Sequence, residues 1–176
     1  HTCSQTLDGA ERSILLVSAT KTFNLAGLRT STMIVQDDDL RARVQETMKR
    51  NGADTPNIFG SVAQTAAYRC GAPWLDALIE YLDGNRREAE AFCREHAPEI
   101  IPARMEGTYL QWLDCRKLGM EQEALERFFI DRAGVGLSSG THFGPEGAGF
   151  MRVNLAAPRD RVREALARIG EAVKAL

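Results

Sequence analysis

The C-terminal stretch places Val162, Leu166, Ile169, Val173 and Leu176 at spacings of three and four, the pattern that lines one face of an α-helix. A helix with a single apolar stripe must lay it on something. Just before it, residues 150–155 (FMRVNL) form an apolar, β-branched run that Pro158 ends, which predicts a strand. The chain is therefore expected to pack helices on sheet, and the rest of the sequence repeats the alternation. Residues 13–18 (SILLVS) and 32–35 predict two strands joined by an ordered loop. Residues 39–50 predict a helix, opened by Asp37, Asp38 and Asp39 and closed by Asn51-Gly52. The Ala-rich residues 61–70 predict a short helix. From Pro73, the spacing of Leu75, Leu78, Ile79, Leu82, Ala89, Phe92 and Cys93 predicts one long amphipathic helix to about His96, with Gly84 as the place for a bend. Residues 107–114 (GTYLQWLD) read as a strand with Tyr109 and Trp112 as core aromatics, and residues 121–132 as a helix. Between residues 134 and 149 six glycines separate short strand-like pieces. The expected fold class is α/β in two pieces: strand, loop, strand and helix first, then a small sheet backed by helices, with the long helix as the bridge.

Composition narrows what such a fold could do. At 176 residues the chain can bury roughly 70% of its unfolded surface, so a stable core is within reach. Lys plus Arg total 22 against 24 Asp plus Glu, a formal charge of −2, which argues against nucleic acid or an anionic membrane as partner. With 44% hydrophobic and 26% charged residues and no apolar run long enough to span a bilayer, the composition is that of a globular chain. Cys3, Cys70, Cys93 and Cys115 form no CxxC pair and no Cys/His ligand spacing; the expectation is no metal, no disulfide framework, and reduced thiols in the cytoplasm. The chain begins at His1, with no signal peptide ahead of the first strand, so its start reads as a cut.

The chemistry-bearing segment is SATKTFNLAGLR, between the first two strands. Ser18 lies three residues before Lys21, and Arg29 eight residues after it, with Gly27 between, so donors could converge on one anion. A hydroxyl and a guanidinium suit a phosphate, and a lysine amine can act as nucleophile and base toward a carbonyl compound. A solvated surface loop is the competing reading of the same residues. His142, alone in a Gly-rich loop, is assigned no role.

The segment, followed by Arg29, resembles the cofactor-lysine motif of the fold-type I pyridoxal-phosphate enzymes, the aminotransferase class I and II superfamily, and within it the MalY/PatB-type cystathionine β-lyases. NIFGSVAQTAAY from Asn57, EGTYLQWLD from Glu106 and GFMRVNLAAPR from Gly149 agree with it in the family's order. The resemblance implies that Lys21 carries pyridoxal 5′-phosphate and later removes the substrate α-proton. It also implies that Ser18 and Arg29 hold the 5′-phosphate, and that Arg152 clamps the carboxylate of a small amino-acid substrate. By the same resemblance, residues 1–80 close the large cofactor domain and residues 81–176 form the small C-terminal domain. Asn57 falls in a segment that in the family nears the neighbouring subunit of a homodimer. The partner of the pyridine nitrogen comes from sequence upstream of the lysine in this family, and residues 1–17 do not contain it. The chain then reads as the C-terminal part of a longer enzyme, inactive alone. The activity implied is a carbon–sulfur β-lyase; the alternatives are an aminotransferase and a non-catalytic regulatory or interaction domain. Without the lysine motif, Arg152 would read as an edge-strand arginine paired with a surface acid.

Overall fold

The computed structural model describes residues 9–176; Cys3 lies outside them. The described chain divides into two compact units, with the boundary after Ala77.

In the first unit, β1 (Ile14–Val17) and β2 (Thr32–Val35) pair antiparallel, Val17 opposite Thr32 and Ile14 opposite Val35. The loop carrying Lys21 therefore leaves and re-enters at the same end of the ribbon. Helix α1 (Asp38–Arg50) starts where Asp37 accepts a 2.6 Å hydrogen bond from the Leu40 amide, and it carries Lys49 and Arg50 in its last turn, in accord with the helix dipole. Helix α2 (Ile58–Cys70) starts three residues earlier than its Ala-rich segment suggests. Asn57 caps it, accepting from the Phe59 and Gly60 amides at 3.0 and 3.3 Å.

Helix α3 (Ala72–His96) crosses the unit boundary and runs through Gly84 without interruption. Gly84 has a packing role there: a Cβ would stand 2.4 Å from the Arg159 Nη2, so glycine makes room for a guanidinium.

The second unit holds a four-stranded antiparallel sheet in the order β3 (Ile101–Pro102), β4 (Leu110–Asp114), β6 (Phe150–Asn154), β5 (Ser138–Ser139). Its core takes Ala89 and Cys93 of α3, Leu113, Met151, Leu125 of α4 (Gln122–Arg127), Phe128 and Phe129, and Val162, Leu166, Ile169 and Ala172 of α5 (Arg159–Lys174). A π-helical turn, Phe128–Arg132, continues α4 and ends the predicted helix. The α5 stripe is buried at Val162, Leu166 and Ile169 as its spacing predicts, Val173 is half-buried against the core, and Leu176 is exposed. Tyr109 and Trp112 are half-buried and stand outside the core, contrary to expectation. Side chains alternate across a strand, and with Gln111 and Leu113 facing in, Trp112 must face out.

The three described cysteines are free, with Cys70 exposed and Cys93 and Cys115 buried. Burial pushes the Cys93 thiol up to about 11 and the Cys115 thiol up to about 12, so both stay protonated at neutral pH. A thiol-reactive chromophore applied to the native protein is accordingly expected to label Cys70 at least tenfold faster than Cys93 or Cys115, with peptide mapping as the readout; equal rates would contradict the packing of the second unit. Among the described residues no helix is long and apolar enough to cross a membrane, and no cluster of His, Cys, Asp or Glu could hold a metal ion.

Candidate active site

Lys21 sits on a turn closed by two backbone hydrogen bonds, Phe23 N–H to Ala19 O at 2.9 Å and Leu25 N–H to Thr20 O at 2.8 Å. Its own side chain is exposed. The turn is anchored two residues further on: the Phe23 ring stacks on Trp74 with centroids 5.7 Å apart and meets Tyr68 edge-on at 6.5 Å. A Cβ at Gly71 would fall 2.4 Å from Phe23 Cε1, so a glycine at the α2–α3 junction lets the ring in.

The two ends of the loop are tied together. Ser18 Oγ donates to Thr30 O at 2.7 Å, accepts from the Thr20 amide at 3.2 Å, and lies 2.8 Å from Thr20 Oγ1. Ser18 thus starts where Arg29 and Thr30 finish. Helix α2 braces that closure from below: Asn57 Nδ2 donates to Leu28 O at 3.3 Å, Gln64 Nε2 donates to Thr32 Oγ1 at 2.6 Å, and a Cβ on Gly60 would strike Thr30 Oγ1 at 1.7 Å. Only a residue without a side chain allows α2 that close. Arg29 is exposed and has left-handed backbone, φ 47°; Asn24 in the same loop has φ 55°. Two of the three left-handed non-glycine residues among those described lie in this one loop, a strain that surrounding contacts must hold in place.

The donor set is one amine, a pair of adjacent hydroxyls and one guanidinium on a single tied loop. That set fits an aldehyde bearing a phosphate: amine for the carbonyl carbon, hydroxyl and guanidinium for the anion. Ser18 already gives its proton to Thr30 O, so donating to an anion requires that hydroxyl to rotate away from the carbonyl.

Arg152 lies in the second unit on β6, between Trp112 of β4 and Ser138 of β5 in register. Its neighbour Met151 is buried in the core, so the period-two alternation of the strand turns Arg152 to the opposite face. Among the described residues three arginines are half-buried. Arg86 faces Asp83 and Glu90, and Arg159 faces Glu88, whereas Arg152 has no carboxylate partner. Its Nε is buried without a hydrogen-bond partner, and its guanidinium lies 4.3 Å from the centroid of the Phe143 ring. An arginine desolvated to this degree and left unpaired is suited to an anion that comes from outside. The edge-strand pairing with a surface acid is therefore not what the sheet contains.

The sequence placed Lys21, Ser18 and Arg29 on one loop, and the structure ties that loop shut. It missed the supports: the Phe23–Trp74 stack, the Asn57 brace and the Phe143 ring beneath Arg152. Only the Asn57 cap, an Asn just ahead of a helical segment, left a local signal.

Comparison with known proteins adds the lineage. The model of the family described as aminotransferase class I and II matches residues 3–169. The chain belongs to that family. It is 37% identical over 166 residues to cystathionine β-lyase PatB of Bacillus subtilis, covering 94% of this chain and 43% of PatB. It is 29% identical over 170 residues to arginine–pyruvate transaminase AruH of Pseudomonas aeruginosa, covering 96% of this chain and 42% of AruH. Among solved structures, cystalysin of Treponema denticola, which contains a pyridoxal 5′-phosphate cofactor, superposes with a TM-score of 0.94 at 35% identity over 99% of this chain and 45% of its own. The α/β fold expected from the sequence is thus that of this family, and the chain spans under half the length of these relatives.

Proposed function

We propose that the protein to which this chain belongs is a pyridoxal-phosphate-dependent carbon–sulfur β-lyase. It takes L-cystathionine or a similar cysteine S-conjugate and, by α,β-elimination with uptake of one water, releases a thiol, pyruvate and ammonia. The observation that carries this reading is the 37% identity to a cystathionine β-lyase across 94% of the chain, including the tied loop that bears Lys21. Residues 1–80 are read as the closing part of the large cofactor domain and residues 81–176 as the small domain. The free thiols suit a reducing, cytoplasmic setting, and the assembly is read as a homodimer, as the family resemblance implies.

When bound, pyridoxal 5′-phosphate supplies a carbonyl for amines and a conjugated ring that takes up the electron pair left at the substrate Cα. The residues of this chain do the rest. Lys21 Nζ holds the cofactor and, once released, accepts the α-proton. Ser18 Oγ and Arg29 hold the phosphate. Arg152 grips the substrate carboxylate with two parallel N–H···O bonds, a planar task that lysine performs poorly. This orients the Cα–H bond and leaves the β-sulfur free to depart.

Transamination is the second reading, favoured by the 29% identity to a transaminase over 96% of the chain. It would use the same Lys21 and Arg152. Purified protein given cystathionine and pyridoxal 5′-phosphate, with no keto acid present, is expected to form pyruvate and thiol in equal amounts. Amino transfer on adding a keto acid, with no pyruvate in its absence, would replace the lyase reading with the second one.

A further inference from the structure

The Arg152 guanidinium has an aromatic support whose placement is built by the loop beyond β5. Residues Gly140 to Phe143 form a 3-10 turn, and the chain then doubles back through Gly144 at φ 136°. Gly140 and Gly147 touch across the base of this loop: a Cβ on Gly140 would fall 2.1 Å from Gly147 O, and one on Gly147 would fall 2.1 Å from Gly140 O. No other residue allows that closure. The start of the loop is fixed by Gln122, whose Nε2 donates to Ser139 Oγ at 2.8 Å, and by a 2.9 Å contact between Ser139 Oγ and Thr141 Oγ1.

The loop delivers Phe143 to the open face of the sheet. Phe143 is 54% exposed and takes no part in the core of the unit. What it has instead is two specific contacts: Trp112 edge-to-face at 5.3 Å with rings at 82°, and the Arg152 guanidinium at 4.3 Å. Trp112 stands opposite Arg152 in the β4–β6 register, so cation, ring and indole form one braced set. No carboxylate among the described residues pairs with the cation, and the Nε is unpartnered, so the Phe143 ring is the contact that the guanidinium has.

We propose that Phe143 is a positioning residue: its ring, held by Trp112 and by the Gly140–Gly147 closure, fixes the plane of the Arg152 guanidinium so that its outer edge meets a substrate carboxylate. This rests on the reading of Arg152 as the carboxylate clamp. Orienting the fork lowers the cost of forming two parallel bonds at once, an effect on binding and not on proton removal.

The test uses the cofactor-loaded protein and two readouts, steady-state kinetics with cystathionine and calorimetric binding of propionate, which has a carboxylate and no amine. Phe143→Leu is expected to raise KM and the propionate Kd together by about five- to tenfold, the range of a partly desolvated cation–π contact, with kcat within about twofold. Phe143→Tyr, which keeps the ring, is expected to restore both. If Phe143→Leu changes neither while Arg152→Lys raises both, the inference about Phe143 fails and the Arg152 reading stands. If Arg152→Lys leaves the propionate Kd unchanged, the Arg152 reading itself fails. A fall in kcat that Phe143→Tyr does not repair would mark the ring as merely structural and overturn the proposal.

Discussion

Lys21→Ala is expected to abolish the turnover of cystathionine proposed for the full protein, and with it the visible absorption expected on adding pyridoxal 5′-phosphate. The loss is expected to be at least about 10³-fold, since a positioned general base alone contributes roughly 10²–10⁴ and the same amine also attaches the cofactor. Borohydride treatment followed by peptide mapping is expected to find the reduced cofactor on Lys21 in the wild-type protein and nowhere in the variant. The experiment is clean because the side chain is exposed and carries none of the contacts that hold its turn; those belong to Ala19, Thr20, Phe23 and Leu25. Far-UV circular dichroism, and the thermal midpoint compared between the two proteins without cofactor, are therefore expected to stay unchanged. Lys21→Arg keeps the charge and removes the nucleophile, so it is expected to fail as Lys21→Ala does, which separates covalent attachment from simple electrostatics. A Lys21→Ala protein that retained full lyase turnover would leave this loop without a catalytic role and defeat the assignment of Lys21.

Legibility in the sequence followed the range of the interaction. Strand β2 was located to the residue and β1 to within one at each end, because β-branched and leucine runs carry their own signal; the caps of α1 are equally local. Non-local demands stayed hidden. Gly84 answers to Arg159, far along the chain, and nothing adjacent announces it. Gln111 is 1% exposed although polar, since its Nε2 donates to Glu90 Oε1 and Ala103 O at 3.1 and 3.2 Å, and that burial is what turns Trp112 outward. Ile58 and Phe59, at 78% and 76% exposure, open α2 without joining any core, so an apolar period could not reveal the first turn. The two-residue strand β3 is too short to leave a pattern.

The candidate site divides in the same way. Residue types that do chemistry were visible as types: an amine, a hydroxyl and a guanidinium between two strands. What gives them geometry comes from glycines that admit close contact, Gly60 beneath Thr30, Gly71 beside Phe23, and Gly140 against Gly147. A glycine in a sequence states only that something approaches; the partner is known once the chain has folded.

Asn85→Leu is expected to lower the stability of the second unit by about 3 kcal/mol, as three polar groups of roughly 1–3 kcal/mol each lose their partner and partial relaxation and the added apolar contact offset some of the cost. Asn85 is fully buried on α3 and occupied on every side. Its Nδ2 donates to Leu155 O at 2.9 Å and Ala157 O at 3.1 Å, and its Oδ1 accepts from Arg159 Nε at 3.0 Å. The same Arg159 lies 4.6 Å from the Tyr81 ring centroid, its backbone amide donates to Tyr81 Oη at 2.6 Å, and its guanidinium reaches Glu88 at 3.5 Å. This latch receives the chain as it leaves β6, one strand turn after Arg152, and hands it to α5. Loosening it should therefore do two things: shift the urea midpoint, and raise KM for cystathionine through a less fixed Arg152. Leucine nearly matches asparagine in length, so lost packing is not the cause being tested. Asn85→Asp provides the control, since it keeps the acceptor for Arg159 and gives up both donors; it should fall between wild type and Asn85→Leu if the two carbonyls share the burden with the guanidinium. A urea midpoint for Asn85→Leu within experimental error of wild type would mean that water reaches these carbonyls, and that something other than this latch holds the end of β6.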